Sequence, residues 1–89
     1  WRAGDGTYVV IEQSPDMTGD FHDRLRPGMN HLAVTIDGQP ALDALVDSAG
    51  DHGWTLLFPD RHPFAGGAEH YAAYLEDAHG FEVEIVALD

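Results

Sequence analysis

The sequence has no cysteine and no long apolar run, and each absence narrows the range of functions. Without cysteine, disulfides, thiolate zinc sites and cysteine nucleophiles are excluded, so histidine and carboxylate side chains would have to bind any metal. No apolar run approaches the roughly 20 residues needed to cross a bilayer, and no basic and apolar leader is visible. We therefore expect a cytoplasmic protein that makes no membrane contact.

Basic residues are also scarce, because 16 acidic residues face only 4 basic ones and the net charge is −12. Such a charge repels the phosphates of nucleic acids and anionic membrane surfaces, so neither is an expected partner. The acidic residues are scattered along the chain, which is typical of a solvated surface. Charge alone does not decide whether some of these carboxylates converge on a metal.

The chain length of 89 residues predicts a single small domain. A hydrophobic core of this size supplies only a few kcal/mol of stability, so a second surface to pack against is expected. The chain starts with Trp1 and opens in the middle of a pattern, which leaves open whether it is a fragment of a longer protein.

Apolar periodicity predicts an α+β fold in which one strand precedes a larger unit. Residues 7–13 follow a Gly-Asp-Gly turn signal and are rich in β-branched and aromatic residues, which predicts a strand. Residues 14–28 are polar and contain two prolines and two glycines, as expected of a crossing loop. The order βαβββ follows, with elements predicted at residues 30–36, 40–49, 54–58, 70–75 and 81–88.

Strand parity places one histidine and one carboxylate on the same side of this unit. In strand 30–36 the alternate apolar residues share one face and His31 lies on the other; in strand 81–88 Glu82 and Glu84 lie opposite the apolar face. A neutral imidazole and a carboxylate facing one cavity suit divalent Fe, Mn, Ni, Co or Zn. Two ligands alone do not fix a metal, and without a family a hydrogen-bonded or solvated side chain is the commoner interpretation of each.

Two motifs carry a family resemblance. Residues 28–34, GMNHLAV, resemble the Gly-x-x-His-hydrophobic opening strand of vicinal oxygen chelate modules, the superfamily of glyoxalases, bleomycin-resistance proteins and extradiol dioxygenases. Residues 74–84, YLEDAHGFEVE, are similar to the closing signature, in which an aromatic strand and a turn precede a strand with a metal-binding Glu. The sequence departs from that signature at Ala78, where proline is usual, but the ligand register is intact.

The resemblance implies a domain organisation. Residues 26–89 are interpreted as a βαβββ half-barrel module, the C-terminal module of a pair, and residues 1–25 as the closing strand of a preceding module plus a linker. One helix covers only one face of the sheet, so the other face is expected to pair with a second module or with a second copy in a homodimer.

The resemblance also implies site residues. His31 and Glu84 occupy the ligand positions for a divalent metal, and Glu12 lies where glyoxalase-like members place a second carboxylate ligand. The fourth ligand, a histidine of the preceding module, has no counterpart here. Tyr74 and His70 share a strand face and are the candidate catalytic residues, with a structural role as the alternative for each.

Three functions stay open at this point. The first is a metal-dependent enzyme that binds a small substrate through two adjacent oxygens, by glyoxalase-like lyase or isomerase chemistry or by extradiol dioxygenase chemistry. The lyase or isomerase type is favoured. A dioxygenase site uses two histidines and one carboxylate, whereas this chain offers one clear histidine ligand and its other expected ligands are carboxylates. The second is a bleomycin-resistance-like protein that sequesters a drug or metabolite in a dimer groove. The third is a half-barrel with only a structural role.

Overall fold

A four-stranded sheet packed against an α-helix forms the fold in the computed structural model, which describes residues 4–10, 12, 14–17, 19 and 21–88. The elements are β1 (Leu32–Asp37), α1 (Gln39–Ala49), β2 (Thr55–Leu56), β3 (Ala72–Glu76) and β4 (Glu82–Leu88). A single 3₁₀ turn follows α1. The predicted α+β class and the βαβββ order are confirmed.

The sheet order is β1-β4-β3-β2, so the first and last strands are neighbours. β1 runs parallel to β4, with Leu32 beside Val83, and α1 begins the return from β1 to the far edge of the sheet. β3 runs antiparallel to both β4 and β2. The chain between β3 and β4 is a tight hairpin, as the sequence predicts.

Helix α1 covers one face of the sheet through an apolar stripe. Pro40 lies in its first turn, where the absent N–H leaves no unsatisfied donor, and Gly53 with a φ of 85° ends the 3₁₀ turn that follows. Leu42 is completely buried. The buried core consists of Leu42, Ala49, Ala73, Leu75 and Ile85. Within the described residues, no helix is both long and apolar enough to cross a bilayer.

Two predicted strands differ from the observed structure. Among the described residues of 7–13, only Tyr8 is in a β-bridge and no continuous strand forms; Ile11 and Gln13 lie outside the described part. A strand is stable only along a neighbour, and here no ladder continues beyond Tyr8. The strand predicted at 54–58 is shortened because Phe58 has a φ of 53°, a left-handed conformation that turns the chain out of the sheet.

The polar segment before β1 packs over the β3–β4 hairpin. The His22 amide donates a hydrogen bond of 2.7 Å to the His79 carbonyl, and the His22 ring lies 5.8 Å from that of Phe81. Gly80 has a φ of 81° at the contact, and a Cβ there would overlap the His22 carbonyl oxygen. Glycine is therefore required at position 80 both by the turn and by the close approach of a second backbone segment.

Gly80→Ala should destabilise the fold by more than the cost of a left-handed backbone at alanine. A left-handed non-glycine residue costs about 1–2 kcal/mol, and the overlap with His22 adds to that loss. Gly53→Ala is the matched control, because Gly53 has a similar φ of 85° but no atom within 4 Å of its Cβ position. Urea unfolding of both variants measures the difference, and equal losses would contradict the proposed backbone contact.

Candidate functional site

The parallel pairing of β1 with β4 brings His31 against Glu84. Ala33 lies beside Glu84 in the register, and His31 immediately precedes β1 on the face away from α1. His31 Nε2 lies 2.9 Å from Glu84 Oε1, although the two residues are 53 positions apart in sequence. On its other side, His31 Nδ1 lies 2.7 Å from the side-chain oxygen of Asn30. The predicted juxtaposition of this histidine with this carboxylate is present.

His70 completes a cluster around the same carboxylate. It lies just before β3, and its Nε2 is 2.5 Å from Glu84 Oε2. Glu84 is only 7% exposed. Burial raises the pKa of Glu84, but the hydrogen bonds from His70 and His31, together with their charges, outweigh it and lower that pKa below its ordinary value. Glu84 is therefore an ionised carboxylate at neutral pH.

Tyr74 lies on β3 directly beside Glu84 in the antiparallel register. Its ring makes edge contacts with His31, at 5.8 Å between centroids, and with Phe58, at 5.7 Å. Burial and the negative charge of Glu84 both raise the pKa of Tyr74 above its ordinary value. The phenol consequently keeps its proton and can donate a hydrogen bond next to the cluster.

Glu82 is a second buried carboxylate on this face of β4. It is only 3% exposed and forms an ion pair with Arg24 of the segment before β1. Its Oε2 lies 3.6 Å from His31 Nδ1. Strand parity does not distinguish Glu82 from Glu84 as a metal ligand, but their partners in the structure differ. Arg24 neutralises Glu82, while two histidines contact Glu84.

His31, Tyr74 and Glu82 border a cavity of about 390 Å³, within the lower part of the range of small-ligand sites. Its lining consists of Arg24, Leu25, Asn30, His31, Phe58, Arg61, Ala65, Tyr74 and Glu82. The loop at residues 59–67 supplies Arg61 and Ala65 to this lining.

Comparisons with known proteins agree with this fold. A profile of the Glyoxalase/Bleomycin resistance protein/Dioxygenase superfamily matches residues 1–74. The chain belongs to this superfamily. It is 38% identical over 94 residues to the uncharacterized protein YqjT of Bacillus subtilis (strain 168), covering 98% of this chain and 73% of that protein.

A solved structure supports the same membership. The crystal structure of a protein from Bacillus halodurans, provisionally assigned as a glyoxalase, matches with a TM-score of 0.77 and 37% sequence identity. The match covers 88% of this chain but 59% of the other, so the chain spans about three-fifths of that superfamily member. The vicinal oxygen chelate resemblance drawn from two short motifs is confirmed.

The structure does not bring every predicted site residue of this superfamily together. Glu12 is exposed, and among the described residues it makes no hydrogen bond or ion pair. Within the same described part of the chain, no three histidine or acidic side chains form a complete metal-binding group. His31 and His70 contact different oxygens of Glu84, so the three side chains form a hydrogen-bonded cluster. Glu12 as a metal ligand stays a prediction.

Sequence reasoning missed three residues that line the cavity. Phe58, Arg24 and Arg61 were not singled out, because each lies in a loop or at a strand end where periodicity carries no information. No sequence signal links the three residues, because Arg24 is far from Phe58 and Arg61 along the chain and converges on the Phe58 ring only in the tertiary fold.

Gly66→Ala should displace the two candidate catalytic side chains. A Cβ at Gly66 would lie 2.5 Å from the Tyr74 hydroxyl and 2.7 Å from His70 Cδ2, well inside van der Waals contact. We expect altered imidazole ¹⁵N shifts for His70 in long-range ¹H–¹⁵N NMR spectra. Gly50→Ala is the control, because nothing lies within 4 Å of its Cβ position. Unchanged His70 signals in Gly66→Ala would show that the loop does not press on the site.

Proposed function

We propose that His31 and Glu84 supply two ligands of a divalent metal, Fe, Mn, Ni, Co or Zn, and that the adjacent cavity binds a small substrate through two neighbouring oxygens. The observation that carries the proposal is the 2.9 Å contact between His31 Nε2 and the buried, ionised carboxylate of Glu84. Superfamily membership supports it, because the resemblance to this superfamily implies metal-ligand positions at His31 and Glu84.

The donor chemistry of the pair fits a divalent cation. With a metal bound, His31 Nδ1–H would donate a hydrogen bond to the side-chain oxygen of Asn30, 2.7 Å away, and the Nε2 lone pair would be free to bind the metal. A cation between Nε2 and Glu84 Oε1 would then replace the hydrogen bond that joins these two atoms in the structure.

In this proposal His31 and Glu84 are only part of the metal's ligand set. Two protein ligands leave room for ligands from a second module or second copy, for Glu12 and for substrate. The division of the chain into a linker segment at 1–25 and a module at 26–89, and its pairing with another module or another copy, belong to the same proposal.

When bound, the metal acts as a Lewis acid that polarises substrate oxygens. The chain's own residues orient the substrate and move protons. Tyr74 keeps its proton and donates a hydrogen bond into the cavity from beside Glu84. His70 Nε2, 2.5 Å from Glu84 Oε2, is placed to exchange a proton with this carboxylate. These roles suit a lyase or isomerase that shifts a proton between adjacent carbons.

An alternative function is non-catalytic sequestration of a small molecule, as in bleomycin-resistance-like binding proteins. The aromatic wall favours it, because Phe58 and Tyr74 meet edge to face beside the cavity and offer a stacking surface. This alternative needs no metal, so ligand binding would survive chelator treatment.

Metal titration by calorimetry on the chelator-treated protein tests the proposal. Wild type should bind one of the five metals near one equivalent per site, and His31→Ala and Glu84→Gln should each weaken binding by at least about a hundredfold, since even outer partners of metal ligands contribute about 10–100-fold. Glu69→Gln is the control, because Glu69 is exposed and lies outside the cluster. His70→Ala should retain metal if His70 acts on protons.

Two results would contradict the metal site. One is the absence of metal binding by wild type for all five cations, and the other is equal affinity in Glu84→Gln and in Glu69→Gln. If chelator-treated wild type then bound small aromatic molecules with unchanged affinity, the sequestering function would replace the enzymatic one.

A further inference from the structure

Two cations of this acidic chain converge on one aromatic ring in the cavity wall. The guanidinium carbon of Arg61 lies 5.0 Å from the centre of the Phe58 ring and that of Arg24 lies 5.7 Å from it. The chain has only 4 basic residues against 16 acidic ones, and Arg24 and Arg61 are two of those four. Half of the basic residues of the chain therefore lie in the wall of this cavity.

The two guanidinium groups differ in what neutralises them. Arg24 forms its ion pair with the buried Glu82. Arg61 forms no ion pair with any residue that the structure describes, even though acidic side chains outnumber basic ones so heavily. Its guanidinium lies over the Phe58 ring in the cavity lining, and its five N–H donors make no hydrogen bond to any side chain or carbonyl that the structure describes.

The position of Arg61 is fixed by local structure. Its amide donates a hydrogen bond of 3.0 Å to the Phe58 carbonyl, and its carbonyl accepts one of 2.8 Å from the Phe64 amide. Phe58 itself holds a left-handed conformation, with a φ of 53°, that is rare for a bulky residue and is concentrated at functional sites. The turn thus presents Arg61, stacked on Phe58, to the same cavity that His31 and Tyr74 line.

We propose that the guanidinium of Arg61, stacked on Phe58, binds a carboxylate group of the substrate in this cavity. The inference rests on the proposed function, since it takes the cavity beside His31 as the substrate site. A single free guanidinium matches the two oxygens of one carboxylate in a planar, bidentate pair. A doubly charged phosphate is disfavoured, because Glu82 and Glu84 lie close by and Arg24 is already neutralised.

The test compares benzoate with its neutral analogue benzamide in NMR titrations of the metal-free protein. Benzoate should bind at least about tenfold more tightly than benzamide, since hydrogen bonds to charged groups are the stronger ones. It should shift the Arg61 side-chain signal and the Phe58 ring signals. Arg61→Gln should weaken benzoate binding by about tenfold or more and leave benzamide binding unchanged.

Arg26→Gln is the matched control, because Arg26 is an exposed arginine of the same charge outside the cavity lining. Equal weakening by Arg26→Gln and Arg61→Gln would overturn the proposal, as it would mean that benzoate senses only net charge. Equal binding of benzoate and benzamide, or tighter binding of inorganic phosphate than of benzoate, would also overturn it. Failure of metal binding is a separate result, because these titrations contain no metal.

Discussion

The parallel pairing of β1 with β4 is the constraint on which the site depends. These strands are the first and last of the βαβββ unit, so no local segment of the chain can form the pair by itself. On one face the pairing packs Val34 and Ile36 with Ile85 under α1, and on the other it places His31 beside Glu84. Burial of apolar surface on the helix side thus provides the free energy that holds two polar side chains together on the opposite side.

Two buried carboxylates lie on one face of β4, and the cost of burying their charges must be offset by partners within the site. Glu82 and Glu84 are separated by one residue and are nearly inaccessible to water, so each needs its own positive or hydrogen-bonding partner. Arg24 serves Glu82, and His31 and His70 serve Glu84. Removing Arg24 would take the ion-pair partner from the buried Glu82, at a cost of about 3–5 kcal/mol. The segment before β1 is for this reason part of the site through Arg24.

The sequence predicts those parts of this arrangement that follow from the local alternation of side chains along a strand. Alternation along a strand is a local property, so the shared face of His31 and Glu84 could be predicted, while the parallel pairing of their strands is a long-range contact that alternation does not reveal. The choice between Glu82 and Glu84 could not come from parity, because both have the same parity and differ only in their tertiary partners. The left-handed Phe58, which ends a strand early and carries the cavity wall, follows from the packing of its loop and leaves no mark in the periodicity.

The cluster lies on the face of the sheet that α1 leaves uncovered, and this position ties assembly to ligand binding. Ala33 and Thr35 are exposed on this face, small enough to let another sheet approach closely. A second module or copy seated there would remove water from around Glu84 and could add donor groups beside His31. A ligand that contacts both this chain and the second module or copy binds the pair more tightly than it binds this chain alone. By linkage, the ligand stabilises the pairing by the same free energy that the pairing adds to ligand binding. Metal affinity and association would then rise and fall together.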